Sequence, residues 1–485
     1  MKSLRSLFLV LLVAAFPALA HSEDGASQTL PVTTSSPAAA RYFEAGMVHY
    51  ENHRWNFALR DWNEAIHLDP DFALAYTWIC FTTVDPAEET RDREKAKSLM
   101  SQVTPGEQLL IRWMAGVHEN RYVDGISAMN DLLALYPLDK RLNFLVAYWL
   151  YRQDEYELAQ KLTLRALAED PKYATCYNQL AYLYSRTGDL DKAVEAAGKY
   201  VDLLPNQPNP HDSYAEMLRL SGRFQEALEQ YHMALQIDPT FYISQKELGE
   251  TYSLMGDEER ARAEYAKAIE QAPSNGLKAE YLQKSALTYV REKKYAEADQ
   301  AYRDAAEKAA AMSQWVWQAR AYRILAMFQP ARAAALKNLA RAEALLAAQK
   351  GVVPRVDFDE EESRILRVRV ERTALSNEGA ARRALAQLEK MGNSGASINT
   401  QRSYHGAAGT LLIAQKKYAE AIPHLEEDIA NPLSMKLLVA AYRKTGAAEQ
   451  AEAMSKKLLN WKIPGIEEAL AVSAFRTEEA VSAKN

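Results

Sequence analysis

The sequence predicts an all-α fold of antiparallel helix pairs, and two regularities of spacing predict it. Prolines recur at one constant interval in the middle of the chain, at Pro137, Pro171, Pro205, Pro239 and Pro273. Glycines recur with the same period, at Gly188, Gly222 and Gly256. Neighbouring members of each series, such as Pro137 and Pro171, are 34 residues apart. A period of this length is typical of proteins that stack one small supersecondary unit many times. We therefore expect each repeat to contain a helix, a tight turn and a second helix.

The second helix of each repeat carries small and large residues at helical spacing. Ala227, Tyr231 and Ala234 are separated by steps of four and three, which place them on one face of a helix. The same order recurs at Ala58, Trp62 and Ala65, at Ala261, Tyr265 and Ala268, and, with threonine at the large position, at Ala159, Thr163 and Ala166. We expect the alanines to permit close helix contact and the large side chains to fill the space between neighbours.

The turn inside each repeat needs a residue that tolerates positive φ. Gly188, Gly222 and Gly256 meet this need, and Asp154 and Asn120 occupy the matching positions of earlier repeats. A proline after the second helix ends it, because proline cannot continue a helix.

This pattern resembles the tetratricopeptide repeat (TPR) family, whose unit has the same length and the same order of small, aromatic and proline positions. The match is closest at residues 39–72 and 140–273 and degenerate at 73–137. The resemblance implies a right-handed superhelical solenoid. It also implies that the first helix of each repeat lines a concave face, where a peptide or a partner segment binds.

The N-terminal region before the first repeat has a different character. Lys2 and Arg5 precede an apolar run that ends in a small-residue cleavage motif. This pattern predicts that residues 1–20 are a signal peptide, which is cleaved between Ala20 and His21. An uncut membrane anchor is the alternative. Residues 21–38 are rich in Ser, Thr and Pro and are expected to be a flexible linker. These features predict a periplasmic or secreted protein without stable membrane insertion after cleavage.

The rest of the chain divides by its periodicity. Residues 39–350 are expected to form about eight to nine repeats, and the acidic stretch 351–362, which contains Pro354, a linker. Repeats of the same kind are expected at 363–473, followed by a fraying or disordered tail at 474–485. Cys80 and Cys176 fall in apolar helical patterns, so buried free thiols are favoured, although an oxidising compartment would permit a disulfide.

The segment NQPNPHDSY, residues 206–214, contains an adjacent His211 and Asp212, a pair found in some metal phosphohydrolases. The repeat phase favours a helix start instead. Asn209 would cap the helix, Pro210 would take its first position, and Asp212 would lie in the first turn.

Composition and motifs argue against most enzymatic functions. The net charge of −6 is spread along the chain, which does not indicate a nucleic-acid partner. We find no phosphate-binding loop, dinucleotide motif, nucleophile elbow or zinc-protease motif. We therefore expect no enzyme activity, no cofactor and no metal.

The first helices of four repeats supply the candidate partner-binding residues. They are Phe144, Tyr148, Tyr151, Arg152, Asn178, Tyr182, Arg186, Asp212, Glu216, Arg219, Lys246 and Glu250. Aromatic and arginine side chains are frequent anchors of protein interfaces. The favoured hypothesis is a non-enzymatic adaptor of the bacterial cell envelope that holds a protein or peptide partner. The alternative is a subunit or regulator of an envelope enzyme system, such as polysaccharide export or cell-wall remodelling.

Overall fold

The computed structural model describes residues 29–52, 54–83, 85–119, 121–393 and 397–482. This part of the chain contains twenty-five α-helices, one 3₁₀ turn and no β-strand, which confirms the all-α prediction. The described residues divide into two compact units, one within Met1–Ser221 (unit 1) and one within Gly222–Asn485 (unit 2).

Unit 1 contains eleven described helices. They are α1 (Pro37–Glu51), α2 (Trp55–Leu68), α3 (Ala73–Thr82), α4 (Pro86–Ser98), α5 (Pro105–His118), α6 (Tyr122–Leu135), α7 (Lys140–Arg152), α8 (Tyr156–Glu169), α9 (Ala174–Thr187), α10 (Leu190–Leu203) and α11 (Pro208–Leu220). Each odd-numbered helix from α1 to α9 packs closely against the helix that follows it. The degenerate stretch 73–137 therefore keeps two helix pairs, joined through the 3₁₀ turn Met100–Gln102.

Unit 2 contains fourteen described helices. They are α12 (Phe224–Ile237), α13 (Tyr242–Met255), α14 (Glu258–Gln271), α15 (Asn275–Arg291), α16 (Tyr295–Ala311), α17 (Trp315–Phe328), α18 (Arg332–Ala347), α19 (Arg355–Thr373), α20 (Glu378–Asn393), α21 (Ile398–Ala414), α22 (Tyr418–Glu426), α23 (Pro432–Thr445), α24 (Ala448–Leu459) and α25 (Ile466–Ser482). From α13 to α24 the helices pack in consecutive pairs. The described part of residues 363–473, where repeats were expected, is also built of such helix pairs.

The small and large positions of the second helices lie in the core, as predicted. Ala261 and Ala268 are fully buried, and Tyr265 between them is 3% exposed. Gly249 on the preceding helix faces this tyrosine, and a Cβ atom there would lie 2.8 Å from its ring. Thr163, at the large position of α8, satisfies its hydroxyl by donating to the carbonyl of Ala159 over 2.8 Å. The periodic residues therefore hold each pair together by close packing.

The predicted turn residues adopt positive φ. Gly188, Gly222 and Gly256 have φ of 89°, 85° and 83°, and Asp154 has φ of 61°. Asn120 lies outside the described residues. The same backbone conformation also occurs without glycine at positions that the sequence did not indicate, namely Lys293, Ser313 and Lys416.

The described part of the predicted N-terminal linker is bound to unit 1. The backbone N–H of Leu30 donates to Asp139 over 2.7 Å, and that of Thr33 donates to Glu107 over the same distance. Ser35 donates its N–H to Asp69 over 2.9 Å. Because three carboxylates hold it, residues 29–36 form an extended, anchored segment, and the flexible-linker prediction is wrong there. The predicted signal peptide and the Ala20–His21 cleavage site lie outside the described residues.

Two other predicted boundaries differ from the structure. Helix α19 begins at Arg355, so most of the expected 351–362 linker is helical, with the acidic run in its first turns. Helix α25 extends to Ser482, and Phe475 is buried against α23, so the expected tail is ordered helix up to that residue. Helix α25 also contacts α15, where Arg291 forms an ion pair with Glu468, 177 residues later. This contact joins the last helix of unit 2 to an early one.

The NQPNPHDSY segment is a helix start, although its cap differs from the predicted one. The cap is Gln207 and the helix begins at Pro208, two residues earlier than expected. Asn209 donates from Nδ2 to the Tyr200 hydroxyl over 3.2 Å, so its side chain contacts α10 and does not cap. The buried His211 ring contacts the Pro205 carbonyl oxygen at 2.9 Å.

Both cysteines are buried free thiols, as favoured. None of the described helices combines the length and the apolar character that crossing a lipid bilayer requires.

Candidate functional site

The twelve predicted partner-binding residues differ widely in exposure. Five are buried, namely Phe144, Asn178, Asp212, Arg219 and Glu250. Five are half-buried, namely Tyr148, Tyr151, Tyr182, Glu216 and Lys246. Arg152 and Arg186 are exposed. The accessible candidates are therefore seven, and six of them lie in unit 1.

In unit 1 these side chains join the first helices of successive repeats. The Tyr182 hydroxyl on α9 donates to Glu216 on α11 over 2.7 Å. Nε of Arg186 on α9 donates to the Tyr151 hydroxyl on α7 over 3.1 Å. Burial, together with the Glu216 charge, raises the pKa of Tyr182, so its hydroxyl stays protonated and remains a donor. The structure thus brings Tyr151, Arg186, Tyr182 and Glu216 onto one continuous face.

The same face approaches α1, the first described helix. Arg141 on α7 forms a bidentate ion pair with Glu44 on α1, with N–O distances of 2.8 and 2.9 Å. The Tyr173 hydroxyl, just before α9, donates to Glu51 at the end of α1 over 2.8 Å. Because α1 and α7 are first helices of different repeats, these contacts show that first helices of repeats distant in sequence face each other in unit 1.

Phe144 lies in the core of this region. It is 5% exposed and packs with Ala166 and Cys176, and its ring makes an edge contact with Tyr173 at 5.9 Å between centroids. Tyr148, one turn later on α7, stacks on Phe144 at 6.4 Å and remains half-buried. A partner therefore has access to Tyr148 but not to Phe144.

Unit 2 contains a cavity of about 410 Å³, which we call the inner pocket. Lys284 on α15, Arg320 on α17, Arg364 on α19 and Arg402 on α21 contribute to its wall. These are again first helices of successive pairs. A second cavity of about 570 Å³ shares Trp317, Arg320 and Arg364 with the inner pocket, so the two cavities adjoin.

Most cations of the inner pocket have acidic partners within unit 2. Nε of Arg323 donates to Glu361 over 2.7 Å, and both side chains are buried. Arg367 donates to Glu371 over 2.9 Å and to Asp428 over 2.7 Å. These ion pairs hold α17 to α19 and α19 to the segment before α23.

Arg320 is different. Among the described residues, no carboxylate oxygen lies within 4.0 Å of its guanidinium. Its guanidinium carbon lies 4.5 Å from the centroid of the Trp317 ring, a cation–π contact. Burial lowers the pKa of Arg320, and the charges of Arg323 and Arg364 add to this effect while those of Glu361 and Glu467 oppose it. The pocket therefore contains a guanidinium with both cationic and acidic groups nearby.

This arginine group is not among the residues predicted from the sequence. Arg320 and Arg323 on α17, and Arg364 and Arg367 on α19, share an i, i+3 spacing that places each pair on one helix face. A repeated arginine pair in consecutive first helices was the signal available in the sequence.

The structure also brings Cys80, Glu89 and His118 together from three helices of unit 1. Their possible ligand atoms lie within 4.8 Å of one another, and these atom types bind zinc in other proteins. The Glu89 carboxylate contacts the Cys80 sulfur at 3.7 Å and the His118 ring at 3.3 Å. Arg93 forms an ion pair with the same Glu89 oxygen, so the charge of this carboxylate is already compensated.

Two parts of the chain match known proteins at the level of the repeat itself. Models of the tetratricopeptide repeat match residues 162–195 and 247–275, one match in each unit. Protein O-mannosyl-transferase TMTC1 of Homo sapiens is 28% identical over 182 residues, which are 36% of this chain and 21% of that protein. The Mus musculus protein of the same name is 27% identical over 156 residues, 31% of this chain and 17% of that protein. The chain thus spans about a fifth of these relatives.

Two solved structures illustrate the structural likeness. A TPR protein of Thermus thermophilus is 21% identical, with a TM-score of 0.32, and the alignment covers 38% of this chain and 96% of that one. A tetratricopeptide repeat protein of Parabacteroides merdae is 13% identical, with a TM-score of 0.35, and covers 57% of this chain and 94% of that one. The matched models and the stacked helix pairs show that the chain contains tetratricopeptide repeats in both units.

Proposed function

We propose that this protein is a non-enzymatic scaffold that holds a protein partner along the inner faces of its first helices. The observation that carries the proposal is the face formed by Tyr151, Tyr182, Arg186 and Glu216 in unit 1. Its aromatic, cationic and acidic groups project from consecutive first helices and remain accessible. Tyrosine and arginine supply much of the binding energy in protein interfaces, because they combine apolar area with directed hydrogen bonds.

The repeat architecture supports the proposal. Stacked helix pairs present an extended surface to which each repeat adds one further set of side chains. Such a surface suits a partner segment several residues long.

Site-specific photocrosslinking tests the proposal. A photoreactive phenylalanine analogue replaces Tyr151 on the inner face in one variant. In the control variant it replaces Leu164, an exposed residue of α8 that lies on the second helix of its pair. We expect a discrete adduct, identifiable by mass spectrometry, from position 151 alone. Equal labelling from both positions, or none from position 151, would contradict binding at the inner face.

The cellular setting is a second part of this proposal. We infer from the charged N-terminus, the short apolar run and the ALA motif that the protein is exported to the cell envelope and cut after Ala20. N-terminal sequencing of the exported form is expected to begin at His21. A chain that retains Met1 in the membrane fraction would refute this.

A further inference from the structure

We propose that Cys80, Glu89 and His118 form a zinc-binding site that joins three helices of unit 1. This inference goes beyond the proposed scaffold function and does not depend on it. Cys80 lies in the last turn of α3, Glu89 lies in the first turn of α4, and His118 is the last residue of α5. The three helices pack against one another, so the side chains meet where they join. The sequence predicted no metal because these residues form no closely spaced motif, and only the fold brings them together.

The distances between the three side chains fit a tetrahedral zinc ion. Bonds of about 2.3 Å from zinc to sulfur and about 2.0–2.1 Å to nitrogen or oxygen place neighbouring ligand atoms about 3.3–3.6 Å apart. Oε1 of Glu89 lies 3.7 Å from Sγ of Cys80 and 3.3 Å from Nδ1 of His118. The third distance, from the sulfur to the imidazole, is at most 4.8 Å. The ligand atoms therefore already have nearly the separations of a zinc site, and the imidazole has to move by about 1 Å at most.

The site combines one buried ligand with two accessible ones. Cys80 is 2% exposed, whereas the side chains of Glu89 and His118 are 19% and 25% exposed. An ion therefore has access from the side of Glu89 and His118. Three protein ligands leave the fourth tetrahedral position to a water molecule. On binding, zinc forms one bond each to sulfur, nitrogen and oxygen, and the Cys80 thiol releases its proton to solvent, because the thiolate is the ligand.

The charges around the site act in both directions. The C-terminal ends of α3 and α5 meet here, and the partial negative charge of such ends favours a cation. Asp92, whose charge reaches Cys80, is paired with Arg91 over 2.7 Å and contributes little. Two groups oppose zinc. They are the N-terminal end of α4, with its partial positive charge, and Arg93, which forms an ion pair with the Glu89 oxygen that zinc would bind.

Arg93 has two other carboxylates within reach. Its Nε is buried, makes no hydrogen bond within the described part of the chain, and lies 3.5 Å from Glu119 and 3.6 Å from Glu94. Lys97 also contacts both of these acids, at 2.7 and 3.1 Å. When zinc binds Glu89, Arg93 therefore keeps an ion pair, although it shares the acid with Lys97. Zinc has to compete with Arg93 for Glu89, so removal of Arg93 should strengthen zinc binding.

Titrations of the full-length, reduced and metal-free protein with Zn²⁺ test the inference, with a chromophoric chelator as competitor. We expect one ion per chain. Cys80→Ser and His118→Gln should each weaken zinc binding at least about tenfold, because each removes a ligand. The matched controls are Cys176→Ser, which changes the other buried thiol, and His232→Gln, which removes an exposed imidazole. Both controls lie outside the cluster and should bind zinc with the affinity of the wild type.

Two further measurements separate a metal site from a cluster that only packs. Co²⁺ bound to the wild type should show a thiolate-to-cobalt charge-transfer band, which Cys80→Ser should lack. This spectrum of the wild type keeps the inference testable if Cys80→Ser does not fold. Arg93→Gln should bind zinc several-fold more tightly than the wild type, because Glu89 then has no competing cation.

Four outcomes would overturn the inference. The first is that the wild type binds no zinc in stoichiometric amount, and the second is that its cobalt complex lacks the thiolate band. The third is equal zinc affinity of the wild type, Cys80→Ser and His118→Gln, which would assign the ion to other residues. The fourth is an affinity of Arg93→Gln no higher than that of the wild type, which would place the ion away from Glu89.

Discussion

The buried ion pair between Arg323 and Glu361 is a sensitive point of unit 2. The side chains are 3% and 2% exposed, and Nε donates to the carboxylate over 2.7 Å. Glu361→Gln preserves the shape and one acceptor oxygen but leaves the Arg323 guanidinium without its counter-ion. Removing one partner of a buried ion pair typically costs about 3–5 kcal/mol. Because the amide oxygen still accepts a hydrogen bond, we expect a loss near the lower limit, about 3 kcal/mol of unfolding free energy.

Urea unfolding followed by circular dichroism measures this loss. With a denaturant dependence of about 3 kcal/mol per molar urea, the midpoint of unit 2 should fall by about 1 M. The control is Glu420→Gln, whose exposed pair with Lys417 at 3.1 Å should contribute at most about 0.5 kcal/mol. The double variant Arg323→Met with Glu361→Leu should recover most of the stability, since no charge is then left buried. If Glu361→Gln and Glu420→Gln unfold at the same midpoint, the reasoning from burial is wrong.

Four further predictions follow from single features. Gly256→Ala should lower the free energy of unfolding, measured by heat or urea, by about 1–2 kcal/mol, because φ is 83° at this position. The added Cβ meets no atom within 4 Å, so the loss comes from the backbone conformation alone. An unchanged stability would show that the turn relaxes. Tyr148→Ala should weaken partner binding about thirtyfold with little change in the melting temperature. If the variant instead unfolds while the folded molecules bind the partner with unchanged affinity, Tyr148 belongs to the core. Burial raises the pKa of the Cys80 thiol to about 12, so a disulfide reagent at pH 8 should react slowly with the native protein and rapidly in urea; fast native labelling would contradict this. Burial lowers the pKa of His405 and of His424. The charge of His424 lowers the pKa of His405 further, since the Nδ1 atoms of the two rings lie 3.1 Å apart. The unfolded state then binds more protons, so the melting temperature should fall as the pH drops below about 6.5, and less so in His424→Gln; a rise on acidification would refute it.

The packing of the repeats was predictable because it depends on local sterics. Ala261, Tyr265 and Ala268 have to share one helix face, and the structure buries all three. The turns were predictable where glycine marks them or where the repeat phase points to one position, as at Asp154. Ser313 and Lys416 adopt the same positive φ at 58° and 62°, since the packed helices on either side impose the conformation on residues that do not favour it.

The N-terminal segment shows why composition alone gave the wrong prediction of a flexible linker. Residues 29–36 have the Ser, Thr and Pro content of a flexible linker. Their order comes from Asp69, Glu107 and Asp139, which the fold gathers from three separate places in the sequence. No local pattern contains that information.

The candidate site was predictable in unit 1 and missed in unit 2 for a related reason. In unit 1 the strict period of the repeat relates Tyr182 to Glu216, and the structure joins them by a hydrogen bond. In unit 2 the cations of the inner pocket, Lys284, Arg320, Arg364 and Arg402, follow one another at unequal intervals along the sequence. The repeated arginine pairs of α17 and α19 mark one face of each helix, but because these intervals are irregular, the three-dimensional structure is needed to show that all four side chains line one cavity.

The ion pair between Arg291 and Glu468 affects how unit 2 reaches its folded state. In an open repeat array each pair contacts only its neighbours, so folding spreads stepwise and the end pair can fray alone. Here α25 contacts α15 across 177 residues of sequence, a link that forms only after the intervening helices are in place. Because the intervening helices have to be placed first, this contact raises the contact order of unit 2 and should form late in folding. Once it is formed, the last helix cannot detach without exposing α15, which couples the stability of both regions into a single cooperative transition.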